Sequence, residues 1–281
     1  MTPRIPSELE LDRRAYRRGR ERRSVLIAIA STLVFAVVVW ATVINTEGWS
    51  KVQQSFFDPA VALQALPKVW DGFLVNLTVL GISIFTVGGV ALVIALLRTL
   101  RGPVFFPVRM LAAGYTDLFR GLPFIIVLYL VGFGLPTIVG ERIDELFLGV
   151  LAVTLTYSSY VAEVIRAGIE SVHPSQRLAA RALGLSHVQT LRRVVLPQAL
   201  RKMTPALMND FISMQKDVGL ISIIAGIDAI AGARSVTATT YNFTPYVVAG
   251  ILFILLAIPT IRLADWYTAR LREREQTGSV L

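Results

Sequence analysis

The chain has 281 residues, 54% of them hydrophobic and 17% charged, and carries a formal net charge of +9. It has no cysteine, which excludes disulfides, thiolate metal sites and thiol redox chemistry. A pI of about 10.2 leaves nucleic acid or an anionic membrane surface as partners, and the position of the charge decides between them.

In chain order, residues 1–24 form a basic tail containing Pro3 and Pro6. Residues 25–44 are an uncharged apolar run of 20 residues, about the length that crosses a hydrocarbon core. The run is longer than the apolar region of a signal peptide, and no A-x-A-like site follows Ile44, so it is expected to be retained as an anchor helix. Residues 45–70 form an outside connection, with 55–69 expected as a partly amphipathic helix on the membrane surface. Trp40, Trp49 and Trp70 stand at the interfacial positions tryptophan favours.

A second uncharged run, 74–97, leads to an inside loop, 98–109, punctuated by Gly102, Pro103 and Pro107. The third span is expected over 110–135, interrupted by Gly121 and Pro123, which places it where neighbouring protein satisfies the freed backbone. After an outside loop at 137–145, residues 146–162 form the fourth span, continuing helically through Glu163 into Ile165. The fifth, 218–227, is too short alone and spans only if extended back across Asn209, Asp210, Lys216 and Asp217. Residues 241–261 are the sixth, and 269–281 form a tail.

The pattern predicts an all-α membrane protein, a polytopic bundle of about six transmembrane helices. With the N-terminus inside, the inside segments carry 22 Lys and Arg and the outside segments four, Lys51, Lys68, Arg142 and Arg234. The positive-inside rule expects this of a chain with both termini in the cytoplasm, and it removes the main support for nucleic-acid binding.

The longest inside segment, 166–204, reads as helix, turn, helix. Residues 167–183 form the first helix and Gly184 its left-handed stop. Ser186 with Gln189 makes a capping box for the second, which Pro197 ends. Spans on both sides keep such an insert from laying a helix into a DNA groove.

The only histidines, His173 and His187, offer no metal-site spacing, and no catalytic cluster is present. The four lysines, Lys51, Lys68, Lys202 and Lys216, are followed by Val, Val, Met and Asp, so there is no phosphate-binding P-loop. No enzyme activity, metal or cofactor is expected in this chain. Charges within spans mark solute routes by default, and Glu163, Asp210, Lys216 and Asp217 qualify. The plainer readings are an ion pair for Lys216, an i, i+3 pair for Glu163 with Arg166, and interhelical hydrogen bonding for Asn76 and Asn209. An ion-coupled carrier acting alone, with Asp210, Lys216 and Asp217 as a relay, is the alternative; its expected repeated half is not visible.

Several stretches carry a family resemblance: Asn76-Leu77-Thr78, Phe119-Arg120-Gly121-Leu122-Pro123 and Tyr160-Val161-Ala162-Glu163-Val164-Ile165-Arg166. The most specific runs from Val172-His173-Pro174-Ser175-Gln176 through Ala179-Ala180 and Gly184 to Leu196-Pro197-Gln198. Over residues 70–262 the chain resembles the permease subunits of ATP-binding cassette (ABC) importers for polar amino acids, and the last stretch is similar to their EAA loop. Leu178 replaces the motif glutamate, Ser175 stands where glycine is usual, and Lys216-Asp217-Val218-Gly219-Leu220 replaces Lys-Asp-Thr-Ser-Leu.

The resemblance implies a type I importer core of five helices plus the N-terminal helix, with the permease domain over 70–268 and the N-terminal helix and outside connection over 25–69. It implies an ATPase-coupling loop over 166–204, with Ala179, Ala180, Gly184, Leu185, Ser186, Leu196 and Pro197 as its coupling residues. Asn76, Glu163, Asn209, Lys216 and Asp217 become candidates for the substrate pathway or gate. The implied partners are an ATP-binding subunit dimer that holds ATP and Mg, a second permease, an extracytoplasmic substrate-binding protein and an amino acid. The implied location is a bacterial inner membrane.

The charge asymmetry makes a direct prediction. A single cysteine introduced at position 187 of this cysteine-free chain reacts with a membrane-impermeant thiol reagent from the cytoplasmic side only.

Overall fold

The computed structural model describes residues 8–100, 102–224 and 226–278, and among them every regular element is helical. The chain divides into two compact units between Phe57 and Asp58.

In the first unit, α1 (Glu8–Val39) continues through a π-helical turn at Trp40–Ile44, and a short α2 (Glu47–Phe56) follows. Arg20–Thr42 is apolar enough to cross a membrane, and none of its apolar stretch is buried.

The second unit opens with α3 (Pro59–Thr99). Asp58 caps it by accepting from the Ala60 and Val61 amides at 2.9 and 3.3 Å, and Pro59 occupies the first turn, where a missing N–H is harmless. The expected surface helix at 55–69 is therefore not a separate element. Its residues from Pro59 onward belong to the same 41-residue helix as the span, and the expected domain start at residue 70 lies inside that helix.

After a 3-10 turn at Pro103–Phe105, α4 (Phe106–Gly121) stops at Leu122 and α5 (Phe124–Tyr129) leaves at 107° to it. The interruption expected at Gly121 and Pro123 is a sharp break. Proline removes a helix donor and pushes the preceding residue out of helical geometry, and Leu122 has ψ 133°. A π turn at Leu130–Gly134 and a short α6 (Leu135–Val139) complete this stretch.

Helix α7 (Glu145–Glu170), capped by Asp144, is the most enclosed span, with 61% of its apolar stretch buried. One core gathers Val79, Leu128, Val153 and Ile221 around it. A second, of Ala91, Ala95, Ala112 and Ala162, uses small side chains that let α3, α4 and α7 approach closely.

Two short helices, α8 (Pro174–Ala182) and α9 (His187–Thr190), lead through a π turn at Leu191–Val195 into α10 (Leu196–Asp217). Pro197 does not end the second helix as expected. It lies in the first turn of α10, so the chain stays helical across it. The expected fifth span also differs. A 3-10 turn occupies Val218–Ile223, and the chain leaves regular helix before Asp228 caps α11 (Ala229–Thr240). Tyr241 adopts a left-handed turn, and α12 (Thr244–Gly278) begins three residues later than the expected span.

Among the described residues four helices are long and apolar enough to span, or five if the bent pair is one span. Helix α10 is the sixth candidate. It is less apolar because it carries Arg201, Lys202, Asp210, Lys216 and Asp217.

Helix α11, absent from the sequence expectation, packs on the first half of α3 through two glycines. A Cβ on Gly72 would lie 2.3 Å from the Asp228 carbonyl, and one on Gly232 would lie 2.6 Å from the Lys68 oxygen. Gly88, in the same α3 helix, faces open space. Gly72→Ala is therefore expected to destabilise the protein by about 1–3 kcal/mol through overpacking, while Gly88→Ala leaves stability unchanged or raised. Thermal unfolding of the detergent-solubilised chain measures both.

Candidate functional site

The loop between α7 and α10 is built on a fixed base. Val172, Val195, Ala199 and Met203 form a buried cluster with Ile165 and Ile169. A Cβ on Gly168 would sit 3.0 Å from Met203, so α7 and α10 meet closely. Lys202 donates from Nζ to the Ser171 carbonyl at 2.9 Å, and Arg177 donates to the Ile169 carbonyl at 2.6 Å, which holds the start of the loop against both helices.

On that base the two short helices are set by local chemistry. His173 caps α8, its Nδ1 accepting from the Ser175 amide at 3.2 Å. Gly184 has φ +81°. Its N–H donates to the Arg181 carbonyl at 3.0 Å, and the Leu185 N–H donates to the Ala180 carbonyl at 3.2 Å, which is a Schellman motif. Ser186 and Gln189 then form both bonds of the expected capping box, at 3.3 and 2.9 Å.

Of the coupling residues suggested by the resemblance, Ala179, Ala180, Gly184, Leu185 and Ser186 surround this turn, while Leu196 and Pro197 lie in the first turn of α10. Ala180 is buried beneath the turn, while Ala179, Gly184 and Ser186 are exposed. Three apolar side chains, Leu178, Leu183 and Val188, are 68%, 83% and 70% exposed, beside the exposed polar Gln176, Arg181, His187 and Gln189. Leu178, in place of the motif glutamate, is thus an exposed apolar side chain. A cavity of about 420 Å³ lies between the two short helices, lined by Glu170, Arg177, Arg181, His187, Thr190 and Leu191 among others.

The residues expected to line a path are not gathered in one place. Asn76 is 1% exposed and fully engaged: its amide donates to the Val218 carbonyl at 2.9 Å and to Asp228 Oδ2 at 3.3 Å, and its carbonyl accepts from the Ala229 amide at 3.1 Å. Asp217 accepts from the Tyr157 hydroxyl at 2.7 Å. Asn209 and Lys216, seven residues apart on α10, share an exposed face, and Lys216 has no ion pair among the described residues. Asp210 keeps a buried Oδ2 without a hydrogen-bond partner among the described residues.

Glu163 is the centre of a basic cluster. It accepts from Arg98 at 2.7 Å and from Arg166 at 3.1 Å, and the Arg120 guanidinium lies 4.0 Å away. Arg98 also donates to Thr116 at 3.0 Å, and Arg166 reaches Glu170. The i, i+3 pair with Arg166 is present, and the carboxylate in addition joins α3, α4 and α7. Arg120 stands at the break after α4, stacked 5.9 Å above the Tyr160 ring, and the Tyr160 hydroxyl donates to its carbonyl at 3.3 Å.

Sequence reasoning missed Arg98, Arg120, Tyr157 and Asp228 as partners of the named residues. Only Asp228 carried a readable signal, an Asp placed directly before an apolar helical run.

A family model described as "Binding-protein-dependent transport system inner membrane component" matches residues 91–273. The chain belongs to this family. It is 31% identical over 204 residues to an arginine transport system permease protein of Bacillus subtilis (strain 168), covering 72% of this chain and 91% of that one. A probable glutamine ABC transporter permease protein of the same organism is 34% identical, over 70% of this chain and 90% of that one. Among solved structures, an amino acid ABC transporter crystallised with histidines superposes with a TM-score of 0.69 and 30% identity, covering 76% of this chain and 98% of that one. The MetNI methionine ABC transporter, 16% identical with a TM-score of 0.57 over 76% and 99% of the two chains, shares the fold. The chain is therefore a multi-pass inner membrane component of a transport system.

The arginine cluster generates a prediction. Glu163→Gln leaves three guanidiniums facing one another around a neutral amide. With the cluster partly exposed, the expected loss is about 1–2 kcal/mol, and salt reduces the difference from wild type. Thermal unfolding at low and high ionic strength checks this.

Proposed function

We propose that this chain is the permease subunit of an ABC importer and forms the transmembrane pathway for polar amino acids or similar small zwitterions. ATP and Mg are bound by a separate ATPase dimer, a second permease completes the pathway, and an extracytoplasmic binding protein delivers the solute. Both termini and the loop at 166–204 face the cytoplasm. The names of the relatives support the substrate class, because those covering most of their own length are permeases for arginine and glutamine.

The observation that carries the reading is the loop between α7 and α10. Two capped helices on a packed base, with Leu178, Leu183 and Val188 exposed among polar side chains, form a locally fixed surface suited to docking on another protein. Around it, Ala179, Ala180, Gly184, Leu185 and Ser186 fix the turn, and Leu196 and Pro197 carry it into α10. The pathway runs along the exposed face of α10 that bears Asn209 and Lys216, with Asp217 beside it. Glu163 and Asn76 hold the helices that flank the path. No observation favours the ion-coupled carrier with Asp210, Lys216 and Asp217 as its relay.

The test uses Gly184. A valine there forces a β-branched residue into left-handed geometry, at about 1–2 kcal/mol, and misaims α9. Gly184→Val is expected to assemble with its partners in reconstituted membranes and to lose substrate-stimulated ATPase activity. Activity is measured with and without loaded binding protein, normalised to assembled complex. Stimulation at the wild-type level would overturn the coupling role.

A further inference from the structure

Away from the loop's short helices, a second cavity of about 400 Å³ lies between the start of α10 and the end of α12. Gln198, Arg201 and Lys202 line it from α10, and Trp266, Tyr267 and Arg270 from α12. No carboxylate lines it among the described residues.

Each cation has donors to spare. Lys202 uses one of its three N–H groups on the Ser171 carbonyl. Arg270 places its guanidinium over the Trp266 ring at 5.1 Å, and stacking occupies the face of a guanidinium while leaving its edge N–H groups available. Trp266 is 54% exposed and sits where an apolar helix gives way to basic sequence, the position of an interfacial aromatic. Leading up to it on one side of α12, Ile251, Leu255 and Leu263 stand at helical spacing and are 49%, 61% and 55% exposed.

We propose that this pocket binds the headgroup phosphate of an anionic phospholipid, whose acyl chains lie along the apolar stripe of α12. A basic pocket between helices at the membrane boundary supplies the charge complement of such a headgroup. The stripe distinguishes a lipid from a soluble anion, because a free phosphate has nothing to place on it. The proposed orientation puts the pocket in the cytoplasmic leaflet. The binding inference itself depends neither on that orientation nor on the solute carried.

Trp266 provides the readout. The full chain is reconstituted in vesicles with the probe lipid in both leaflets, either brominated phosphatidylglycerol or brominated phosphatidylcholine at equal fraction. The Trp266 signal is taken as the difference between wild type and Trp266→Phe. Stronger quenching by the anionic lipid is expected, unaffected by added inorganic phosphate and retained in complex with the ATPase. Arg201→Gln with Arg270→Gln should raise the anionic fraction needed for half-quenching by roughly 30-fold, and Arg201→Lys with Arg270→Lys should largely restore it. Equal quenching by the two lipids in the wild-type chain overturns the proposal without recourse to any cation variant. Relief by inorganic phosphate would reassign the pocket to a soluble anion, and loss of the preference in the complex would reassign it to a protein contact. Either overturns the lipid assignment while leaving the transport function standing.

Discussion

A helix that stops at membrane depth frees backbone groups, and hydrocarbon offers them no partner, so side chains must supply one. Asn76 meets that demand. One amide serves both sides of the break between α10 and α11, donating to the Val218 carbonyl and accepting from the Ala229 amide, and its remaining contact is with the carboxylate that caps α11. The break in turn sets the path of the last third of the bundle. Beyond the break the chain keeps the direction of α10, so α11 runs along the first half of α3 towards its start, and the close approach at Gly72 and Gly232 follows. The start of α3 is tied to the start of α12 by the Asp58 N–H donating to Thr244 at 3.0 Å. The same demand is met at the α4–α5 break by the Tyr160 hydroxyl on the Arg120 carbonyl.

Charge is handled in the same economical way. Arg98 near the end of α3, Arg120 at the end of α4 and Arg166 in α7 would repel one another if left alone, and Glu163 draws them to one point. Desolvation makes such a cluster weak as a source of net stability, so its effect is better seen as registering three helix ends against each other. Helix α7 continues from this cluster into the base of the loop proposed to dock the ATPase. A shift of α3 or α4 relative to α7 would be felt at Ser171, where Lys202 of α10 also holds on.

Local signals were legible in the sequence and distant ones were not. The left-handed Gly184 and the Ser186–Gln189 box depend on residues within one turn of chain, and both stand where the spacing put them. The break at Pro123 was visible for the same reason, although its 107° angle was not. Pro197 was misread because a proline ends a helix or begins one according to what precedes it, and here a π turn delivers it into a first turn. The fifth span was misplaced, and α11 missed, because the chain turns after Ile223 on account of Asn76, which is more than 140 residues away in sequence. Hydropathy also gave no reason to cut helix α3 at residue 70 or to extend it back to Pro59; Asp58 and its cap decide where it begins.

The replacement of the motif glutamate by Leu178 fits the physical character of the loop as a whole. An exposed charge would be solvated before docking and would have to shed that water on contact, whereas an exposed leucine gains by being covered. Leu183 at the end of α8 and Val188 on α9 add two more exposed apolar side chains, while the turn between them is fixed by backbone geometry. A surface that is rigid before docking loses little conformational freedom on contact, so more of the burial remains as affinity. Under the proposed coupling role, a push on α8 and α9 would meet the Val172–Val195–Met203 cluster, which joins α7 to α10, and α7 leads on to the Glu163 cluster that holds α3 and α4.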